Sequence, residues 1–113
     1  LGSRVKEALE KTIALQPRHA DAHVALGAFH AEVIDKVGTL IGGMTYGARK
    51  EAGLRAYQDA LRLTPDSPIA MIEYATGLLM LEGDQRMKDA TQLYQRAAAA
   101  RPLDAAERRS GPR

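Results

Sequence analysis

Apolar residues recur along this chain at the three- and four-residue spacing of amphipathic helices, and prolines interrupt the recurrence. One order of large, small and apolar positions occurs three times, and each copy closes on a proline. The copies are residues 8–17, 56–65 and 93–102. When their prolines are aligned, Leu9, Tyr57 and Tyr94 coincide. Because proline cannot continue a helix, we interpret each copy as the end of a repeated amphipathic helix.

Five helices and no strand are predicted from this periodicity. The helices cover about residues 3–15, 20–40, 48–63, 68–81 and 85–100. Ser67 is a natural N-cap for the fourth helix, with Pro68 at its first helical position. Residues 103–113 are expected to start a further helix or to form a frayed tail. The 113 residues are therefore predicted to form one all-α domain.

The predicted helix over residues 68–81 is apolar on nearly every side, which is typical of a helix buried on more than one side. We expect it to be covered by a neighbouring repeat, by another subunit or by the chain's own long insertion at residues 33–50. Otherwise an apolar helix or peptide of a partner binds there.

These repeated helices resemble the tetratricopeptide repeat family, whose signature over 34 residues is W-x2-L-G-x2-Y, then A-x3-F and a closing proline. In the first full repeat the signature positions are filled by His23, Leu26, Gly27, His30, Gly53, Tyr57, Ala60 and Pro65. In the second repeat they are filled by Met71, Tyr74, Ala75, Leu78, Ala90, Tyr94, Ala97 and Pro102. The second helix of each repeat matches better than the first, and neither tryptophan position holds tryptophan.

The resemblance implies an α-solenoid of antiparallel helix pairs, about two and a half repeats long. Residues 3–17 would form a half repeat, 20–65 a full repeat with an insertion, and 68–102 a second full repeat. Tyr57 and Tyr94 are expected to fill the gaps between helix pairs, where small residues permit close approach.

The insertion follows from the spacing of the prolines: Pro17 and Pro65 are 48 residues apart, 14 more than the family period of 34. Fourteen residues make about four helical turns, which predicts an extended helical hairpin across residues 33–50. A flexible loop over residues 38–47 is the alternative. Its four glycines favour that loop, whereas an apolar stripe favours ordered, buried structure. The stripe is Val37, Leu40, Ile41 and Met44.

In the tetratricopeptide family the ligand-contacting positions lie on the first helix of each pair, so the resemblance implies a concave groove that binds a partner. The corresponding residues here are Asp21, Val24, Ala28, Ala31, Glu32, Ile69, Ile72, Thr76, Leu79 and Met80. Members that clamp acidic chaperone tails place Lys and Asn on this face. Here those places are occupied by Val24, Ala28, Ile72 and Thr76, which disfavours that activity. We therefore expect a non-catalytic interaction or assembly scaffold that binds a protein, a peptide or a second copy of the chain.

Two other functions are weighed against this one. A helical pocket beneath the insertion would bind a small apolar ligand, and helical-hairpin repeats of similar length can also read single-stranded RNA. The net charge is only +2, with Lys and Arg interleaved among Asp and Glu. Such interleaving indicates a solvated surface rather than a nucleic-acid stripe, so nucleic acid is the less favoured partner.

The histidines are the best candidates for a metal site, because His19, His23 and His30 lie near one another on a helical wheel. Imidazoles so placed suit zinc or copper. Two of them, however, occupy positions that the family uses for packed aromatic residues. We therefore expect packing or surface roles, with no metal and no cofactor.

Residues 42–50 come close to a phosphate-binding loop, with Gly42 and Gly47 correctly spaced, but Ala48 stands where lysine is needed and no strand precedes them. No motif places a serine, a histidine and an acid together. The chain is therefore not expected to be an enzyme.

Cysteine is absent, so disulfides and thiolate metal sites are excluded, although this leaves the compartment open. No apolar run approaches the ~20 residues that span a bilayer, and residues 1–15 are too charged for a secretory signal. A soluble chain is expected, and a cytoplasmic location is favoured.

Overall fold

Residues 2–100 are described by the computed structural model of the chain, with side chains from Arg4 onward. Over this range the chain forms five α-helices, one short 3₁₀ turn and no strand. The helices are α1 (Gly2–Leu15), α2 (Ala20–Tyr46), α3 (Lys50–Leu63), α4 (Pro68–Glu82) and α5 (Met87–Ala100), with the 3₁₀ turn at Gly83–Arg86. The all-α prediction is confirmed for this range, while the predicted start of a sixth helix at residue 103 lies outside it.

The predicted helix boundaries at residues 63–68 are confirmed by the hydrogen bonds there. The Ser67 hydroxyl accepts a hydrogen bond from the Ala70 N–H at 3.1 Å, which makes Ser67 the N-cap of α4. Pro68 follows as the first helical residue, where its missing N–H costs nothing. The short connection therefore both ends α3 and starts α4.

Helix α2 continues to Tyr46, past residue 40 where the sequence predicts its end. Gly38 interrupts it with φ 85° and ψ 170°, backbone angles that are essentially restricted to glycine. Gly47 then ends the helix in the left-handed conformation, and its N–H donates to the Gly43 carbonyl at 3.2 Å. The prediction of an extended helix followed by a tight turn is thus confirmed, and the flexible loop over residues 38–47 is wrong. All of the extension lies in α2, because α3 has the same 14-residue length as α5, so the prediction that both helices of the hairpin are lengthened is wrong for the second one.

The apolar stripe of this extension is ordered but not buried, so that part of the prediction is wrong. Leu40 and Met44 are 73% and 78% exposed, and the other two stripe residues, Val37 and Ile41, are exposed as well. Beyond the break at Gly38, it is Gly42 that is buried, against Val33, Ile34 and Ala48. The break therefore turns the glycine side of the helix inward and the apolar side outward.

Helix α4 lies at the centre of the described structure and contacts α2, α3 and α5. Its prediction as a helix buried on more than one side is confirmed. Helix α2 contacts α1, α3 and α4, whereas within residues 2–100 α1 does not contact α3 and α3 does not contact α5. The packing is elongated, measuring 54 × 35 × 20 Å, and the radius of gyration of 15.4 Å exceeds the ~13 Å of a compact domain of this size.

Two hydrophobic clusters form the core. One joins α4 to α5 and consists of Met71, Ala75, Leu78, Ala90, Leu93 and Ala97. The other joins α2, α3 and α4 and consists of Ala31, Ile34, Ala48, Tyr57 and Leu81. The predicted small positions at Gly27, Ala60, Ala75 and Ala97 are all buried.

The two aligned tyrosines differ. Tyr57 is 2% exposed and fills the space between α2 and α4, as predicted. Tyr94 is 37% exposed, so its prediction as a buried gap-filling residue is wrong. Tyr57 has the following helix α4 packed against it, whereas Tyr94 belongs to the last helix that the structure describes.

Candidate partner-binding groove

Helices α2 and α4 pack side by side, and their outward rows of residues line one surface, which we call the groove. The rows are Asp21, Val24, Ala28 and Glu32 on α2, and Ile69, Ile72, Glu73 and Thr76 on α4. Residues three or four apart lie on the same side of a helix, and each row is built from such spacings, with Ile72 and Glu73 adjacent in the α4 row. The two helices meet at a cleft near their N-terminal turns and at the ring of Tyr57.

The first contact is a cleft of about 330 Å³ between the N-terminal turns of the two helices. Asp21 and Val24 line it from α2, and Ile69 lines it from α4. Residues 64–70, which include the Ser67 cap, close its other side. The structure thus brings together three of the predicted groove residues: Val24 and Ile69 line one small apolar recess, and the Asp21 carboxylate lies at its edge.

Ile69 and Ile72 are 65% and 40% exposed, which is unusual for β-branched apolar side chains on neighbouring turns. The chain's own insertion does not cover them, because it lines a different cleft against residues 48–51. This leaves a neighbouring repeat, another subunit or a partner as the source of any cover.

Four of the predicted groove residues are less accessible than the sequence suggests. Ala31 is completely buried in the core beside Ile34, so it cannot contact a partner. Leu79 and Met80 are half-buried, and each packs against a core cluster. The Thr76 hydroxyl lies 2.7 Å from the Tyr94 hydroxyl, a hydrogen bond that joins α4 to α5. The accessible part of the set is therefore Asp21, Val24, Ala28, Glu32, Ile69 and Ile72, of which Val24 and Ala28 are half-buried.

The second contact between the rows is the Tyr57 ring, which comes from α3 and passes between Gly27 on α2 and Gly77 on α4. It stacks on the Tyr74 ring, with centroids 5.7 Å apart and an interplanar angle of 17°. Burial raises the pKa of the Tyr57 hydroxyl well above its ordinary value, and the negative charges of Glu73 and then Glu32 raise it further. A carboxylate from each row is thus close enough to act on the same hydroxyl.

The histidines have structural roles. The His19 Nδ1 accepts from the Ala22 N–H at 3.1 Å and caps α2, and the His23 Nε2 lies 2.9 Å from the Pro17 carbonyl oxygen. Within residues 2–100 no group of three His, Cys, Asp or Glu side chains is arranged to hold a metal ion.

His30 has the most buried imidazole, and its Nδ1 accepts a hydrogen bond from the Arg49 N–H at 2.9 Å. This bond ties the turn before α3 back to α2. Burial lowers the pKa of His30, as do the positive charges of Lys6 and Arg49, while Glu10 opposes them. Sequence reasoning missed the bond because it joins residues 19 apart through a turn whose shape depends on Gly47.

Residues 42–50 do not form a phosphate-binding loop. The Gly47 and Ala48 N–H groups donate to the carbonyls of Gly43 and Gly42 at the end of α2, so they are not free to bind phosphate. Helix, rather than strand, precedes them.

The exposed stripe of the insertion, which we call the extension face, is a second apolar surface. It consists of Val37, Leu40, Ile41 and Met44, and a cleft of about 520 Å³ at its base is shared with Arg49, Lys50 and Glu51. The charged lining and open form of this cleft differ from the enclosed, mostly apolar pockets that hold small ligands.

None of the helices described here is long and apolar enough to cross a lipid bilayer. Comparisons of the chain with protein-family models, with curated proteins and with solved structures found no match.

Proposed function

We propose that this chain is a tetratricopeptide-like α-solenoid and acts as a non-catalytic protein-interaction or assembly module. Three features support the solenoid: helices of similar length end at aligned prolines, α2 contacts both α3 and α4, and the molecule is elongated. In such a stack, each helix pair buries its apolar side against the next pair, and the first helices of the pairs line a continuous surface.

One observation carries the functional part of the proposal. Ile69 is exposed beside Val24 in the cleft between α2 and α4, and Ile72 is exposed on the next turn of α4. Apolar side chains that stand together around a cleft are a common mark of a binding surface. A partner that inserted an apolar side chain into this cleft would remove Val24 and Ile69 from water, and one that continued along α4 would also cover Ile72.

Substitution of the exposed isoleucines tests this proposal. Ile69→Glu and Ile72→Glu are expected to lose the partner in a pull-down from cell extract, because a carboxylate would have to be buried without a counter-charge. Both residues are exposed, so the fold should survive, and circular dichroism checks this. Leu79→Glu is unsuitable because Leu79 packs against the core.

Met87→Glu is the matched control. Met87 is 46% exposed and begins α5. Like Ile69, it is an exposed apolar residue in the first turn of a helix, but it lies outside the groove. The proposal requires that this variant retain the partner. Unchanged recovery of the partner by both isoleucine variants, with the fold intact, would overturn it.

The alternatives have less support. The cleft beneath the insertion is open and partly charged, which does not favour a small apolar ligand, and a co-purified molecule in native mass spectrometry would test this. Single-stranded RNA would meet carboxylates along the groove rather than lysines and arginines, and a filter-binding assay with salt dependence tests it.

A further inference from the structure

Charge is divided unequally between the helices that line the groove, α2 and α4, and the other three helices. Helices α2 and α4, which line the groove, carry the five carboxylates Asp21, Glu32, Asp35, Glu73 and Glu82, with Lys36 as their single basic residue. Helices α1, α3 and α5 carry eight basic and five acidic residues in the described range. The net charge of +2 therefore conceals an acidic groove on a basic molecule.

Three of these carboxylates belong to the groove itself. Asp21 lines the apolar cleft, and the charges of Glu32 and Glu73 reach the Tyr57 hydroxyl between the two helices. The salt bridges formed within residues 2–100 involve none of the three. Their charges are thus available to a partner.

Taking the proposed function as given, we infer that the partner of this groove is a segment that combines apolar side chains with lysine or arginine. An apolar side chain would enter the cleft at Val24 and Ile69, and a cation would lie toward Glu73, one helical turn further along α4. That turn is about 5–6 Å, which matches residues four apart on a helix or two apart on an extended strand. Complementary charge of this kind selects the partner and its orientation more than it adds affinity.

The charges also exclude other partners. An acidic peptide tail would place carboxylates against Glu32 and Glu73, and like charges at close range are unfavourable. A cationic segment gains no attraction from the molecule as a whole, which is itself positive. Any preference for lysine over glutamate would therefore have to come from the local charges of the groove.

Three synthetic peptides of one length test the inference. They share the same leucine positions and carry lysine, glutamine or glutamate at all the others, and their binding to the whole chain is followed by fluorescence anisotropy. We expect affinity to fall in the order lysine, glutamine, glutamate, by about threefold to tenfold per step at low salt. Only the lysine peptide should weaken as salt is added.

A charge-matched pair of double variants locates the effect. Glu32→Gln with Glu73→Gln is expected to weaken the lysine peptide about threefold to tenfold and to leave the glutamine peptide unchanged. Glu7→Gln with Glu51→Gln removes the same charge from exposed positions on α1 and α3, and should change neither.

Equal or tighter binding of the glutamate peptide, or equal effects of the two double variants, would overturn the inference. If the glutamine peptide binds, loses affinity in Ile72→Glu and is not surpassed by the lysine peptide, the inference fails while the proposed groove stands. If no peptide binds even at millimolar concentration and the isoleucine variants retain the natural partner, both fail.

Discussion

Tyr57 on α3 occupies the space that a side chain at Gly77 on α4 would need. A Cβ atom at Gly77 would lie 2.6 Å from the Tyr57 Cζ and 2.8 Å from its hydroxyl oxygen. On the opposite side of the ring, a Cβ at Gly27 would lie 2.9 Å from the ring carbons. The tyrosine therefore packs directly against the backbones of two helices, and these helices also line the groove.

Gly77→Ala is expected to lower the free energy of unfolding by about 1–3 kcal/mol, since the ring and α4 must move apart. The effect runs against the ordinary gain of ~0.5–1 kcal/mol for alanine over glycine inside a helix. Urea unfolding measures it. Gly43→Ala is the control, because its nearest neighbour would be the Ala48 carbonyl at an ordinary 3.6 Å, and it should be neutral or stabilising. A Gly77→Ala protein as stable as the native one would contradict the packing described here.

Tyr57→Ala should destabilise the fold far more than Tyr94→Ala, although the two residues align in the sequence repeat. Removal of a buried aromatic side chain costs about 3–5 kcal/mol, and Tyr57 is almost completely buried. Tyr94 is partly exposed, and about 1 kcal/mol is expected from its lost packing and its hydrogen bond to Thr76. Thermal unfolding of the two variants would reveal the difference. Equal losses would indicate that Tyr94 is covered in solution.

These tyrosines show where sequence reasoning succeeds and where it stops. The repeat identifies both as aromatic positions on the second helix of a pair, and proline and Ser67 set the helix ends within a few residues. Burial at a repeated position, however, depends on which other helices pack against it, and the pattern within one repeat carries no information on that. Gly77 also has no special mark in the sequence, because only the path of the Tyr57 ring makes a side chain there unfavourable.

The prediction that the apolar stripe of the insertion is buried is wrong for a different reason. Periodicity shows correctly that the helix continues beyond Gly38 with one apolar side, but it cannot show which way that side points. The direction is set at Gly38, where one residue with positive φ reorients everything that follows. The groove was predictable from the resemblance only as a set of positions. The packing of α2 against α4 decides which of these residues are accessible. Ala31, for example, is buried in the core.

Acidification below pH 6.5 should destabilise the protein through His30. A folded-state pKa below the ordinary 6.5 means that the unfolded chain binds the proton more readily. Stability is therefore greatest above pH 6.5 and falls, by at most about 1.4 kcal/mol per pH unit, until the lowered pKa is reached. Urea unfolding between pH 5 and 7 measures the slope.

His30→Gln is expected to lose this pH dependence, whatever its stability at neutral pH, because the amide can accept from the Arg49 N–H but does not titrate in this range. His19→Asn is the comparison, since it removes an exposed imidazole and keeps a side chain able to cap α2. An unaltered slope in His30→Gln would rule out His30 as its source.

Gly38→Ala is expected to cost about 1–3 kcal/mol, because an L-residue cannot adopt φ 85° and ψ 170° without strain. Space is not the cause, since among the described residues no atom outside the adjoining backbone of α2 lies within 4 Å of the added methyl group. A D-alanine at the same position, introduced by chemical synthesis, should therefore be tolerated. Hydrogen exchange at residues 39–46 would show whether the extension moves in the L-alanine variant. Equal stability of the two forms would contradict the break in α2.

Leu40→Gln with Met44→Gln should leave the stability of the protein within about 0.5 kcal/mol of the native value, because both side chains stand in solvent on the extension face. Ile34→Ala, on the buried part of the same helix, should cost about 2–5 kcal/mol and shows the sensitivity of the measurement. Unfolding is measured at several protein concentrations, since a covered face would make the difference grow with concentration. A concentration-dependent loss in the double variant would mean that another copy of the chain covers the extension face. The expected absence of any loss would show that Leu40 and Met44 contribute nothing to folding and are available for binding.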